Sequence, residues 1–386
     1  MQTAKKLENF NAYTGPAMNQ KIKLMMAEGR DIINLGLGDP DVTLPGHQLK
    51  ALVEAVSDPA NHHYPSAYPI KPFYQAIADW YKHRHGVDLD PETEVLYCLG
   101  AAEGIFQLNN CLLDPGDICL VPDPAYPSYE AGVRIAGGKA ELYPLQEKKD
   151  FLPDLASIPA DLAKQAKMIW LNFPNNPTTA IAGEEFFLTL IDWAKEYDIA
   201  VISDNPYMDV CFDGYRPPSF LKFPGAKEVG VELNSMSKSF NCCGWRVGML
   251  SGNRDIISGM AKIKSQSDRG LYYPLQVAAI AALTGPVDWM EERNKMYAER
   301  RDVVVSAWHK MGLEMLAPKA TFYCWGKIPD KYTSKEFSFA FLEEGDVWMI
   351  PGSAYGERGE GYVRISCAQP VERIAEAMER MQKFIS

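Results

Sequence analysis

Lys238 sits in the run Ser235-Met-Ser-Lys238-Ser-Phe-Asn-Cys-Cys-Gly-Trp-Arg246, between apolar segments at 229–233 and 247–250 that read as buried strands. A lysine at a strand end can have its ammonium pKa lowered and form a Schiff base with a carbonyl. Ser235 and Arg246 could then bind a phosphate on the same ligand. A half-exposed loop lysine is the plain alternative, and the other strand-end loops bear on the choice.

Five more loops carry polar or aromatic groups after an apolar run. Cys98-Leu-Gly100-Ala101-Ala102-Glu103-Gly104 offers bare backbone N–H groups to an anion, or is a tight turn. Asn172-Phe-Pro-Asn175-Asn176-Pro-Thr is a rigid polar loop, or a simple Asn-Pro turn. Asp204, closing the run Ile202-Ser-Asp204-Asn-Pro-Tyr207, points a carboxylate into a cleft or caps a helix. Asp123-Pro-Ala-Tyr126-Pro-Ser-Tyr129 can present an aromatic face to a flat ring. In Tyr362-Val-Arg364, the forked guanidinium suits a carboxylate. The chain has no Gly-x-x-x-x-Gly-Lys loop, and Gly36-Leu-Gly38 lacks the third glycine of a dinucleotide fingerprint. Together these are the parts that pyridoxal phosphate chemistry needs: an amine, an acid for the ring nitrogen, phosphate donors, an aromatic and an arginine. The same lysine, once displaced by substrate, is an amine placed to move a proton at the α-carbon.

The elements that must position these groups alternate strand and helix. Candidate strands fall at 95–99, 117–121, 139–143, 168–172, 199–203, 230–234 and 246–250. Between them Phe73, Ile77 and Trp80, and Phe187, Leu190, Ile191 and Ala194, repeat at helical spacing. Continuously apolar strands separated by helices predict an α/β layer with a mostly parallel sheet. After about residue 285 the pattern changes to a long helix at 287–311, alternating segments at 321–326, 347–350 and 362–366, and a last helix with Ile374, Met378, Met381 and Ile385 on one stripe. The expected organisation is a large domain at 46–285 and a smaller α+β domain formed by 1–45 and 286–386, with the site between them.

The 386 residues are 47% hydrophobic, enough for two cores, and the net charge of −11 disfavours nucleic acid. No stretch approaches a membrane span, and the N-terminal residues lack the apolar run of a signal peptide. Eight cysteines without a Cys-x-x-Cys pair read as reduced thiols of a cytoplasmic protein. His62-His63 and His83-Arg84-His85 lack further ligands nearby, so no metal is expected.

The chain resembles the class I/II (fold type I) pyridoxal-phosphate aminotransferases along essentially its whole length. The likeness rests on Gly38-Asp-Pro-Asp, Tyr64, Gly100-Ala-Ala-Glu, Asp114-Pro-Gly-Asp, Asn175-Asn-Pro-Thr, Asp204-Asn-Pro-Tyr207, Ser235-Met-Ser-Lys238 through Gly244-Trp-Arg246-Val-Gly, and Tyr362-Val-Arg364, all in family order. The resemblance implies a large domain with a seven-stranded sheet, a smaller α+β domain, and a homodimer with shared active sites. It implies that Lys238 carries the cofactor and shuttles the proton, and that Asp204 partners the pyridinium. Tyr207 and Asn176 would bond the ring 3′-oxygen, and Tyr126 would stack on the ring. Ala101, Ala102, Ser235 and Arg246 would hold the phosphate with Tyr64 from the other subunit. Arg364, the Gly38 backbone and Asn176 would bind the substrate α-carboxylate.

Two loops depart from the family pattern. Its usual Asn-Pro-Thr-Gly reads Asn176-Pro-Thr-Thr179, and the loop after Tyr64 reads Pro65-Ser-Ala-Tyr-Pro-Ile-Lys-Pro-Phe73-Tyr74 in place of a glycine leading to Leu-Arg. The run Ser267-Asp-Arg269-Gly-Leu-Tyr-Tyr-Pro-Leu-Gln276 most resembles the bacterial alanine and LL-diaminopimelate aminotransferase branch. Arg269 of the neighbouring subunit would then meet an acidic side chain, or is a surface arginine. The implied reaction is a ping-pong transamination through Lys238 between an L-amino acid and a 2-oxo acid, 2-oxoglutarate or pyruvate. Alanine, glutamate, aspartate and LL-diaminopimelate are the candidate donors. A carbon–sulfur β-lyase and a non-catalytic sensor on the same fold are the alternatives.

Overall fold

The computed structural model describes residues 2–4, 6–7, 15–65 and 70–385. Within them the strands are β1 (Ile33–Asn34), β2 (Val95–Cys98), β3 (Ile118–Asp123), β4 (Lys139–Pro144), β5 (Ala166–Asn172), β6 (Ala200–Asp204), β7 (Gly230–Ser235), β8 (Gly248–Gly252), β9 (Tyr323–Lys327), β10 (Val347–Trp348), β11 (Ile350–Pro351) and β12 (Tyr362–Ser366). The large sheet has seven strands in the order β2-β8-β7-β6-β5-β3-β4. β8 runs antiparallel to both its neighbours, and the pairings from β7 across to β4 are parallel.

The sheet is central because its strands are apolar on both faces. Val201, Ile202, Val231, Leu233, Met249 and Leu250 are fully buried, the signature of a sheet covered by helices on each side. Helix Glu184–Tyr197 buries Phe187, Leu190, Ile191 and Ala194 as their spacing predicts. Helix Lys71–His85 buries Phe73, Ile77 and Trp80; a proline opens its first turn and Gly86, in the left-handed region, ends it.

A second layer is built from β11-β12-β9, all antiparallel, and from the short parallel pair β1-β10. Helices Asp288–Lys310, Ser334–Gly345 and Val371–Ile385 pack on it. Their core joins Ile33 and Leu35, from near the N-terminus, to Trp308, Phe341, Val347, Met378 and Met381. On the last helix Ile374 is buried too, while Ile385, its last residue, is only half-buried. One expectation changes: the segment at 347–350 is two strands, because the chain turns at Met349 from β1 to β12. Tyr207, Val210 and Phe212, which follow β6, also pack into this second core.

Candidate active site

The parallel strands β5, β6 and β7 end at a cavity of about 360 Å³, where ligands gather in open α/β sheets. Gly38, Ala101, Ala102, Tyr126, Asn176, Asp204, Tyr207, Ser235, Lys238, Arg246 and Arg364 all line it. Tyr64 and Arg269 do not: Tyr64 is 91% exposed and Arg269 is an exposed residue at φ +57°. Residues 66–69, in the altered loop after Tyr64, lie outside the described residues.

Lys238 lies in the four-residue helix Met236–Ser239 that follows β7. Its Nζ donates to the Gly38 carbonyl at 2.5 Å and to Cys243 Sγ at 3.4 Å, with Asp39 Oδ1 at 3.7 Å. Burial works against this ammonium, yet Tyr323, Cys243 and Asp39 outweigh it and raise its pKa above the ordinary lysine value. A strand-end lysine can have a lowered pKa, but here Tyr323, Cys243 and Asp39 reverse the sign. The backbone of this turn hangs on Arg293, whose buried guanidinium donates to the Lys238, Ser239 and Asp209 carbonyls at 3.2, 2.6 and 2.5 Å.

Asp204 closes β6, with Asn172 Nδ2 donating to its carbonyl at 2.8 Å. Its Oδ2 accepts the Tyr129 hydroxyl at 2.5 Å, and Tyr129 stacks on Trp170 with centroids 4.9 Å apart. Oδ1 is buried without a partner among the described residues. Burial lifts the Asp204 carboxyl to about 7, against the pull of the Tyr129 bond. An orphaned buried oxygen carries a desolvation cost that a donor entering the cavity would relieve. Tyr126 meets Tyr129 edge-on and lines the same wall.

At the far end, helix Ala101–Leu112 opens without a side-chain cap after Gly100, whose φ is +80°. A side chain at Gly100 would land on the Arg246 guanidinium, so glycine is what lets the helix start approach that arginine. Arg246 is itself exposed and left-handed, with Nη1 donating to the Cys243 carbonyl at 3.0 Å. Ser235 Oγ accepts from Ser237 N at 3.2 Å. Uncapped N–H groups, a hydroxyl and a guanidinium together fit a phosphate.

Arg364, on β12, reaches across from the second layer. Its Nη1 donates to Asn176 Oδ1 at 2.8 Å, its Nη2 to the Gly36 carbonyl at 3.1 Å, and its guanidinium lies 3.9 Å from the Tyr323 ring centroid. Tyr207 meets the Tyr323 hydroxyl at 3.4 Å. Asn175 and Thr178 tie down the loop behind Asn176. Thr179, standing where glycine was expected, keeps the left-handed backbone at φ +63°.

Orphaned acid, lysine, uncapped helix and aromatic wall fit the ring nitrogen, aldehyde, phosphate and ring of pyridoxal phosphate. The model of the class I and II aminotransferases matches residues 30–381. The chain belongs to this family. It is 45% identical to the LL-diaminopimelate aminotransferase of Moorella thermoacetica over 385 residues, 100% of this chain and 99% of that one. It is 46% identical to the protein of that name from Halothermothrix orenii over 382 residues, 99% and 98% of the two chains. Among solved structures, substrate-bound BacF from Bacillus subtilis aligns with a TM-score of 0.96 at 38% identity, covering 100% of this chain and 98% of that chain. This aminotransferase therefore uses pyridoxal 5′-phosphate and moves an amino group between an L-amino acid and a 2-oxo acid. The lyase and sensor alternatives are not favoured.

Four groups at the aminotransferase's site escaped the sequence reading as site residues. Tyr129 and Asn172 lie inside motifs singled out there, and their hydrogen-bonding types were the available signal. Tyr323 and Arg293 had none: a tyrosine in a strand and an arginine in a long helix look like packing and surface.

Proposed function

We propose that this aminotransferase takes LL-diaminopimelate as its amino partner and 2-oxoglutarate or pyruvate as its oxo acid, as a homodimer. The observation that carries the substrate is the similarity to relatives of that name, 42–46% identical over nearly the whole chain. Pyridoxal phosphate, when bound, supplies an aldehyde that takes up the amino group and a ring that draws electrons from the α-carbon. Lys238 Nζ would hold that aldehyde and is the amine placed to move the α-proton, and Asp204 Oδ1 would keep the ring nitrogen protonated. Tyr126 would face the ring, and Tyr207 and Asn176 would bond its 3′-oxygen. Ala101, Ala102, Ser235 and Arg246 would hold the phosphate. Arg364, with Asn176 and the Gly38 backbone, orients the substrate α-carboxylate.

The homodimer would bring Tyr64 to the partner's phosphate and Arg269 to the partner's substrate. Helix Gly46–Ser57 supports it, for it leaves Leu49, Val53 and Val56 exposed at 48, 55 and 41%. Such an apolar stripe near an uncovered Tyr64 suits a second copy. The domains we assign are 46–285, and 1–45 with 286–386. Eight free cysteines fit a cytoplasmic enzyme, and among the described residues no helix is long and apolar enough to cross a membrane.

The test is a donor panel. With 2-oxoglutarate or pyruvate as acceptor, LL-diaminopimelate should give the highest kcat/KM for glutamate or alanine formation. Turnover of alanine or aspartate with none of LL-diaminopimelate would overturn the substrate assignment. Light scattering should show two chains per particle.

A further inference from the structure

Below the first turn of helix Ala101–Leu112 lies a buried charge cluster that the chemistry above does not use. Lys264 is 1% exposed. Its Nζ bonds both Glu103 oxygens, at 3.1 and 3.2 Å, and Asp268 Oδ2 at 2.5 Å. The Tyr97 ring lies 4.2 Å from the same ammonium, and the Tyr97 hydroxyl donates to Asp268 Oδ1 at 2.5 Å. Glu103 also holds the backbone, for its Oε2 accepts the Leu99 N–H at 2.9 Å. That bond closes the turn Leu99-Gly100-Ala101-Ala102, the stretch that must sit against Arg246.

Glu103 thus sets the position of the phosphate end of the site while adding a negative charge in the helix turn where the phosphate would bind. An unneutralised carboxylate there would repel the phosphate. We infer that Lys264 is a positioning residue for the cofactor phosphate, neutralising Glu103 so that it clamps Leu99 without repelling the phosphate. Burial works against the Lys264 charge, but Cys98, Glu103 and Asp268 outweigh it, so the ammonium persists. The cluster also fixes the start of the Arg269 loop, since Asp268 Oδ1 accepts the Gly270 N–H at 3.1 Å.

The inference rests on the phosphate placement proposed above, and the test separates the two. Cofactor-free protein is titrated with pyridoxal phosphate and with pyridoxal, which lacks the phosphate, following the absorbance of the bound aldehyde. Wild type should bind pyridoxal phosphate far more tightly than pyridoxal. Equal affinities would sink the placement and the inference with it. Lys264→Met should weaken pyridoxal phosphate by about tenfold or more and leave pyridoxal unchanged. An equal loss for both ligands, or none for either, would overturn the inference alone. Two unneutralised carboxylates could stop that variant folding, so the paired variant Glu103→Gln, Lys264→Met is measured too. An amide at 103 can still accept from Leu99 without the charge, and near-wild-type phosphate selectivity is expected. A phosphate-specific loss that persists in the paired variant would also overturn the inference.

Discussion

Replacing Asp204 with asparagine separates what its buried charge costs from what that charge does. In the cofactor-free fold, burial lifts this carboxyl from its ordinary 3.8 to about 7. Between those values the folded protein holds a proton that the unfolded chain has shed. Stability from that proton is complete below about pH 4 and is lost as pH rises through about 7. Each pH unit is worth up to ~1.4 kcal/mol, so the whole interval is worth roughly 4 kcal/mol and the stretch from about pH 5.5 to 7 about 2 kcal/mol. Glu232, fully buried and also raised to about 7 by burial, adds a similar slope that both proteins share. Urea unfolding of the cofactor-free proteins should therefore show Asp204→Asn gaining about 2 kcal/mol on wild type between about pH 5.5 and 7. Cofactor should reverse the order, because a protonated ring nitrogen wants the carboxylate, and the variant should bind pyridoxal phosphate more weakly. If the two cofactor-free proteins keep a constant difference across that range, Asp204 is not a desolvated acid with an unmet oxygen, and the reasoning fails.

Arg364→Met should leave cofactor affinity unchanged while lowering kcat/KM for amino and oxo acids alike by about 30- to 150-fold, the worth of a charge-assisted fork of about 2–3 kcal/mol; steady-state kinetics beside a cofactor titration would show it. Thr179→Gly should stabilise the protein by about 0.5–1 kcal/mol, since a β-branched residue at positive φ is strained by about 1–2 kcal/mol and glycine's freer unfolded chain returns part of that. A lower urea midpoint for that variant would show that Thr179 packing outweighs its strain.

Most of the scaffold was legible because burial on both faces leaves a simple trace. The seven candidate strands of the large sheet each fall on an observed strand to within about two residues, the usual uncertainty of such ends. The break at Met349 was not legible, since two short strands serving different sheets read as one apolar run. At the site, strand-end residues such as Asp204 and Lys238 stood out because polar groups there interrupt an apolar pattern. Arg293 and Lys264 did not, because a charged residue on a helix reads as solvated until the fold shows what buries it. The raised pKa of Lys238 was hidden for the same reason: Tyr323 and Asp39 lie far from it along the chain.

The bonds that knit Gly36 and Gly38 to Arg364 and Lys238 also set an order of assembly. They span 328 and 200 positions, and Asn176 lies 188 positions from Arg364. Such long-range pairings are slow to close. During synthesis β1 leaves the ribosome long before its partner β10 and the arginine on β12. A nascent chain could complete the large sheet and still have no substrate site. Competence to bind substrate would then mark the finished fold, and ligands would stabilise only chains in which the Gly36–Gly38 segment has met β12.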